Sequence, residues 1–234
     1  MAPIILAFEA STKYLSVAVY VNGSVLAMRK IEAPYSQATE MVPLAIRTLA
    51  DVGVEFSSLS HVAAGCGPGS FTGLRVSLAA AKGVCLAHDI IGLGISGLEA
   101  LAFSSSGALN GLPVLCISDT RRGNVYAQLF ANDMTPQSTI FEAEIDQLPF
   151  LVSESICADG LMLAGFAGLD VKMAFEANGL AATPVSFGDN QDELTVDAGM
   201  IAIMAAKKIM LGNFPPLTPL YLADPHLGPK KSGL

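Results

Sequence analysis

Short apolar runs and helical patterns alternate through the first hundred residues. The apolar runs are rich in β-branched side chains, which is typical of strands buried in a sheet. The Asn22-Gly23 pair between two of these runs is a strong hairpin signal. The predicted elements are strands at 4–9, 15–21, 25–31, 62–66 and 90–95, and helices at 36–52, 72–87 and 98–103. The pattern therefore predicts an α/β lobe that begins with three antiparallel strands.

The strand pattern starts again after the small polar break at 104–107, which indicates a second lobe. Its predicted elements are strands at 114–118, 124–130 and 161–164, and helices at 169–177 and 197–211, followed by a proline-rich extended tail. We place the boundary so that residues 1–106 form an N-terminal lobe with the partner-binding helices. Residues 107–234 then form a reduced C-terminal lobe and the tail.

The composition limits the classes of function. The chain has 234 residues, of which 52% are hydrophobic and 15% are charged, and its net charge is -8. No apolar run reaches the roughly 18 residues that a membrane span needs, and the N-terminus reads as a first strand rather than a signal peptide. The acidic balance argues against direct, strong binding to a nucleic-acid backbone. The cysteines form no CxxC pair, so we interpret them as buried thiols of a cytoplasmic protein.

The most specific motif is the glycine loop at 67–75, Gly-Pro-Gly-Ser-Phe-Thr-Gly-Leu-Arg, which joins a predicted strand to a predicted helix. A loop with few side chains can bind phosphate, allow tight packing or support a partner protein. Ser70 and Thr72 could be taken for nucleophiles, but a nucleophilic serine needs a base and an orienting acid. Capping of the helix N-terminus by one of them is the preferred interpretation.

The two helices beside this loop carry more apolar and small residues than contact with one sheet requires. The first helix has Met41, Ala45 and Thr48 on one stripe and Val42, Ile46 and Leu49 on another. The second has Gly73, Ser77, Ala81 and Cys85 in one row and Ala79, Gly83 and Ala87 in another. Either both faces of each helix are buried within the chain, or one face meets a partner.

Five segments together resemble the TsaB (YeaZ) family. They are Phe-Glu-Ala-Ser-Thr at 8–12, the glycine loop with the helix residues 79–83, and the segments at 96–101, 119–126 and 219–222. The resemblance implies a two-lobed actin-like (ribonuclease H-like) α/β fold with mixed sheets and a reduced second lobe. It also implies a non-catalytic scaffold subunit that binds and activates the related subunit TsaD. The reaction implied is threonylcarbamoylation of the tRNA adenosine next to the anticodon.

The same resemblance implies the partners and the cofactors. TsaD would form a heterodimer with the chain, the small ATPase TsaE would join the complex, and tRNA would be contacted only through the complex. A homodimer is the alternative for the isolated chain, and no membrane is involved. ATP and a metal ion would be used by the complex and not by the isolated chain. The interface residues implied are Met41, Ala45, Thr48, Gly73, Ser77, Ala81 and Cys85.

Few residues suited to phosphate or metal chemistry can be found. The turn at 9–13, Glu-Ala-Ser-Thr-Lys, lacks the glycine with which kinases of this superfamily approach phosphate. Thr12, Gly67, Gly69 and Asp119 are retained as candidates for cofactor binding, although Asp119 could instead orient a turn. We predict no catalytic residue.

The three histidines, His61, His88 and His226, lie far apart, so we predict no metal site. The alternative function is a small-molecule or nucleotide kinase or ATPase, and a peptidase is less favoured. The chain departs from residues common in the family at Gln37, where histidine is common, and at Cys66 and Ala223, where arginine is usual.

Overall fold

The computed structural model describes residues 2–33, 36–120, 122–152, 160–166, 169–185 and 195–222. Within these ranges the strands form two five-stranded sheets. The first sheet contains β1 (Ile4–Glu9), β2 (Tyr14–Val21), β3 (Ser24–Glu32), β4 (His61–Gly67) and β5 (Ile91–Ser96). Its order is β3-β2-β1-β4-β5, with β1, β2 and β3 antiparallel and β1, β4 and β5 parallel. Asn22 and Gly23 turn the first hairpin, and both have the positive φ that this tight turn requires.

The second sheet repeats this topology. It contains β6 (Val114–Asp119), β7 (Asn124–Phe130), β8 (Phe141–Glu144), β9 (Leu161–Gly165) and β10 (Ala182–Pro184). The order is β10-β9-β6-β7-β8, with β6, β7 and β8 antiparallel and β6, β9 and β10 parallel. Three antiparallel strands followed by two parallel ones are therefore found twice, once in each lobe.

Six helices of the described ranges complete the layers around the two sheets. Helices α1 (Gln37–Ala50) and α2 (Phe71–His88) cover the outer face of the first sheet, and α4 (Leu148–Val152) and α5 (Leu169–Ala177) cover the outer face of the second. Helices α3 (Gly97–Ser105) and α6 (Ala198–Met210) lie between the sheets. The last helix thus crosses back and packs on the first sheet.

Three hydrophobic clusters match this layering. One lies between the sheets and joins both lobes through α3 and α6. A second fills the space between the first sheet and the pair α1 and α2. The third lies between the second sheet and the pair α4 and α5. Because one cluster is shared by both lobes, the lobes are packed as a single body.

The α/β class with two mixed sheets is confirmed, and the elements of the first lobe lie close to their predicted bounds. Within the described ranges the second lobe has as many strands as the first, and several of its elements are short. Its short elements β8, α4 and β10, of 4, 5 and 3 residues, were not predicted. The boundary between residues 106 and 107 stays a prediction, since α6 and the tail follow it in sequence but pack on the first sheet.

Candidate functional site

The glycine loop packs tightly on the turn between β1 and β2. A Cβ atom added at Gly73 would collide with the carbonyl oxygen of Ala10, and one added at Gly69 would lie 2.6 Å from Cβ of Ser11. The backbone N–H of Ser70 donates a hydrogen bond of 2.8 Å to the carbonyl oxygen of Ser11. Of the three tasks that the sequence left open, tight packing therefore accounts for these glycines.

Ser70 is the N-cap of α2. Its hydroxyl oxygen accepts a hydrogen bond of 3.3 Å from the backbone N–H of Gly73, which satisfies one of the free donors of the first helical turn. The capping interpretation is thus confirmed for Ser70. Thr72 is exposed and lies beside the groove described below.

The carboxyl group of Glu9, at the end of β1, is buried. Its Oε1 accepts a hydrogen bond from the backbone N–H of Ser11, while Oε2 has no hydrogen-bond partner within the described residues. The carboxyl group lies against Gly65 of β4, where any side chain would collide with it. Burial, together with the charge of Asp197, raises the pKa of Glu9 to about 7, although the hydrogen bonds from Ser11 oppose the shift.

A small cleft lies between the lobes, with a cavity volume of about 130 Å³. The first lobe contributes Ser11, Thr12 and Lys13, and the second contributes Ser118 and Asp119. The structure therefore brings together two of the four cofactor candidates, Thr12 and Asp119. Gly67 and Gly69 do not line this cleft, because they face Leu74 and the β1–β2 turn respectively.

In its described part the cleft encloses less volume than most nucleotide pockets do. Pockets for ligands of that size commonly enclose about 300–1,000 Å³. The hydroxyl group of Thr12 accepts a hydrogen bond of 3.1 Å from the backbone N–H of Tyr14 and so closes its own turn. Glu9, the nearest carboxylate on β1, faces Gly65. The polar groups of Thr12 and Glu9 are therefore directed at their own chain.

The histidines of the described ranges are dispersed. His61 stacks on Phe214 and His88 stacks on Phe56, whereas His226 lies outside those ranges. No group of three or more His, Cys, Asp or Glu side chains that could hold a metal ion occurs among the residues that the structure describes.

Most of the residues expected at the partner interface are buried within the described chain, and their place at an interface stays a prediction. Met41, Ala45, Thr48, Gly73, Ser77 and Ala81 are buried, and only Cys85 is partly accessible. The hydroxyl groups of Thr48 and Ser77 donate hydrogen bonds to carbonyl oxygens of their own helices. The physical reason is that the small residues let α1 and α2 approach the first sheet and each other closely.

The opposite faces of the same two helices form an exposed groove. Its lining combines Ala38 and Val42 of α1 with Phe71, Thr72, Arg75, Val76, Ala79 and Ala80 of α2. The buried Met41 of α1 also borders it. Val42 is 53% exposed and Phe71 is 38% exposed, and Ile46, one turn beyond Val42, is 54% exposed. The second stripe of α1 and the second row of α2 are the sequence signals that point to this surface.

One of the three departures from the family pattern, Gln37, has a structural role through its side chain, whereas Cys66 contacts the C-terminal segment through its backbone. Gln37 is buried, and its Nε2 donates weak hydrogen bonds to the carbonyl oxygens of Ala10 and Thr12, which tie α1 to the β1–β2 turn. The carbonyl oxygen of Cys66 accepts a hydrogen bond of 2.8 Å from the N–H of Leu220 in the C-terminal segment. Burial raises the pKa of the Cys66 thiol to about 12. Ala223 lies outside the described residues.

The cysteine prediction is confirmed in part. Cys66 and Cys116 are buried free thiols, Cys85 is half-buried, and Cys157 lies outside the described ranges. No helix in the described ranges is long and apolar enough to cross a membrane. The expected cytoplasmic location stays a prediction.

Comparison with known proteins gives a consistent result. The family model described as "TsaD: tRNA N6-adenosine threonylcarbamoyltransferase" matches residues 34–152, about half of the chain. The tRNA threonylcarbamoyladenosine biosynthesis protein TsaB of Escherichia coli is 30% identical over 129 residues, which cover 55% of this chain and 55% of that protein. The chain thus spans about half the length of this curated relative.

The similarity to solved structures extends over nearly the whole chain. YeaZ from Pseudomonas aeruginosa superposes with a TM-score of 0.74 and 22% identity, covering 94% of this chain and all of that one. The activator of 2-hydroxyisocaproyl-CoA dehydratase from Clostridium difficile, solved with bound ADPNP, superposes with a TM-score of 0.50 at 8% identity. It covers 89% of this chain and 97% of that one. At these identities the similarity shows the actin-like fold alone.

Proposed function

Because the chain belongs to the TsaD family and is similar to TsaB (YeaZ) proteins within it, we propose that it is a non-catalytic scaffold subunit of tRNA threonylcarbamoyladenosine synthesis. In this proposal it binds TsaD and activates it for modification of the adenosine next to the anticodon. Catalysis resides in TsaD, and TsaE joins the complex. The tRNA is contacted only through the complex, in keeping with the net charge of -8.

The observation that carries the proposal is the exposed groove between α1 and α2. Apolar side chains from both helices line it, and half of the surface of Val42 and of Ile46 is open to solvent. Contiguous apolar surface of this kind marks protein interfaces. A helix pair of TsaD would bury these side chains and form a four-helix contact with α1 and α2. A homodimer of the isolated chain would use the same surface.

The interlobe cleft favours a scaffold over the alternative of a kinase or ATPase. Its β1–β2 turn has no glycine, and in its described part the cavity volume of about 130 Å³ is small for a nucleotide. We therefore assign ATP and the metal ion to other subunits of the complex. In this proposal Thr12 closes the β1–β2 turn, Asp119 lines the cleft between the lobes, and neither residue binds phosphate.

The test reconstitutes tRNA modification from purified components, with and without this chain. The components are TsaD, TsaE, tRNA and a source of the activated threonylcarbamoyl group. We expect modification to depend on the chain and to saturate at a one-to-one ratio to TsaD. A double variant, Thr12→Ala with Asp119→Ala, controls for nucleotide binding or hydrolysis in the cleft of this chain. It should retain the wild-type level of modification. Modification that is independent of the chain would refute the proposal. Micromolar binding of ATP and magnesium to the isolated chain would favour the kinase.

A further inference from the structure

The C-terminal segment 213–222, which we call the strap, crosses the first sheet and returns to α2. The N–H of Gly94 in β5 donates a hydrogen bond of 3.2 Å to the carbonyl oxygen of Pro215. The N–H of Leu220 donates a hydrogen bond of 2.8 Å to the carbonyl oxygen of Cys66 in β4. At its start Phe214 stacks on His61. The strap is therefore held at its beginning, its middle and its end.

Two glycines of β5 make room for the strap. Side chains alternate along a strand, and Leu93 and Ile95 point into the cluster between the two sheets. Gly92 and Gly94 therefore face α2. A Cβ atom at Gly94 would collide with the carbonyl oxygen of Pro216, and one at Gly92 would lie 2.9 Å from the side chain of Leu217. Glycine within a strand at a close backbone approach is the arrangement that such a packed segment needs.

The end of the strap contacts the groove at the N-terminal end of α2. The rings of Tyr221 and Phe71 are 5.5 Å apart, and the guanidinium carbon of Arg75 lies 3.8 Å from the centre of the Phe71 ring on α2. The Nε–H of Arg75 also donates a long hydrogen bond of 3.4 Å to the Tyr221 hydroxyl. Phe71 and Arg75 line the groove, whereas Tyr221 does not.

We infer that the strap is a positioning element for partner binding, and that Tyr221 holds Phe71 and Arg75 in the arrangement that the partner recognises. This inference rests on the proposed binding of TsaD in the groove. Phe71 is 38% exposed and the Arg75 side chain is long, so neither is fixed by burial in the core. The tilted contact with the Tyr221 ring restricts this freedom before binding and so reduces the conformational entropy that TsaD binding must overcome.

The test compares Tyr221→Ala, Gly94→Ala and the double variant for affinity to TsaD. Gly94→Ala displaces the strap from β5 without altering any groove residue, so it tests whether the effect of Tyr221 depends on the placement of the strap. We expect each single variant to weaken TsaD binding by about tenfold and the double variant to be no weaker than either single one. Leu211→Ala, which truncates another exposed side chain near the strap, should bind as the wild type does.

Hydrogen exchange of the isolated chain supplies a second readout. Gly94→Ala should speed exchange at the Leu220 amide while the amides of β1 keep their protection. Where Gly94→Ala does not fold, Leu217→Ala releases the strap instead, because it removes the partly buried anchor of the segment.

Additive losses in the double variant would overturn the inference, since Tyr221 would then act independently of the strap. A released strap with unchanged TsaD affinity would also overturn it, while leaving the proposed function intact. Failure of the wild-type chain to bind TsaD would refute both the inference on the strap and the proposed function.

Discussion

Glu9 is an ionisable residue that the fold has buried at the end of a central strand. Its Oε1 is held by the backbone of Ser11, and its Oε2 lies against Gly65 without a hydrogen-bond partner among the described residues. A charged carboxylate is unfavourable in such a place, and Asp197 makes it more so. The folded chain therefore holds Glu9 as a neutral acid to a higher pH than the unfolded chain does.

This difference makes the stability depend on pH. The pKa of Glu9 rises from 4.5 to about 7 on folding, so the folded chain binds more protons between these values. The free energy of unfolding should fall as pH rises through this window, by about 3 kcal/mol in all, and should stop falling above it. In Glu9→Gln this dependence should be lost. Urea denaturation at intervals between pH 5 and 8, the range that spans most of the window, measures both curves.

A matched control is Glu144→Gln, which changes an exposed carboxylate of β8. It should keep the pH dependence of the wild type. Equal slopes for the wild type and Glu9→Gln would show that Glu9 is ionised in the folded chain. The sequence identified the turn that contains Glu9. Burial of the carboxyl group, however, depends on Gly65, which is 56 positions away and contacts it only in the folded sheet.

Helix α2 contains two glycines that have opposite environments. Gly73 lies in its first turn against the carbonyl oxygen of Ala10, whereas an added Cβ at Gly83 meets no described atom within 4 Å. Glycine in a helix is unfavourable relative to alanine unless a close contact requires it. The contact at Gly73 is the point at which the helix meets the β1–β2 turn.

We expect Gly73→Ala and Gly83→Ala to change stability in opposite directions. Gly73→Ala should lower the free energy of unfolding by about 1–3 kcal/mol because the new methyl group overpacks the turn. Gly83→Ala should raise it by about 0.5–1 kcal/mol because it only improves helix propensity. Urea denaturation of both variants measures the difference. A tolerated Gly73→Ala would mean that the loop does not set the position of α2.

The helices and strands of the first lobe could be predicted because each is long and strongly patterned. The orientation of the helices could not. Periodicity shows that α2 has a row with Gly73, Ser77 and Ala81 and a row with Ala79 and Gly83, but either row could face the sheet. The row with the small polar residue proved to be internal, because its hydroxyl group is satisfied by the helix itself.

At the scale of the whole molecule, two similar sheets enclose a shared layer of α3 and α6. On one side, the outer helices of the first lobe are not covered by any part of the chain that the structure describes. Long-range contacts such as the packing of α6 on the first sheet and of the strap on β5 carry no local sequence signal. The sequence therefore did not predict these contacts, although glycines within a strand, here Gly92 and Gly94, indicate a close approach of another backbone segment. The family resemblance supplied the two-lobed fold that periodicity alone left open.

The position of the exposed groove between α1 and α2 also determines which substitutions test partner binding. Ala45 and Ala81 are buried, so an arginine at either position would place a charge in the core and test folding instead. Val42 and Ala79 lie on the exposed lining of the groove, where an arginine can extend into solvent.

The affinity of the full chain for TsaD, measured by titration calorimetry, tests the central claim most directly. Val42→Arg and Ala79→Arg should each weaken binding by about tenfold or more, because a charge would be buried in an apolar contact. Leu26→Arg is the matched control, since Leu26 is 54% exposed on β3, away from the groove, and should bind as the wild type does. Wild-type affinity in both groove variants, with melting temperatures unchanged, would contradict the account.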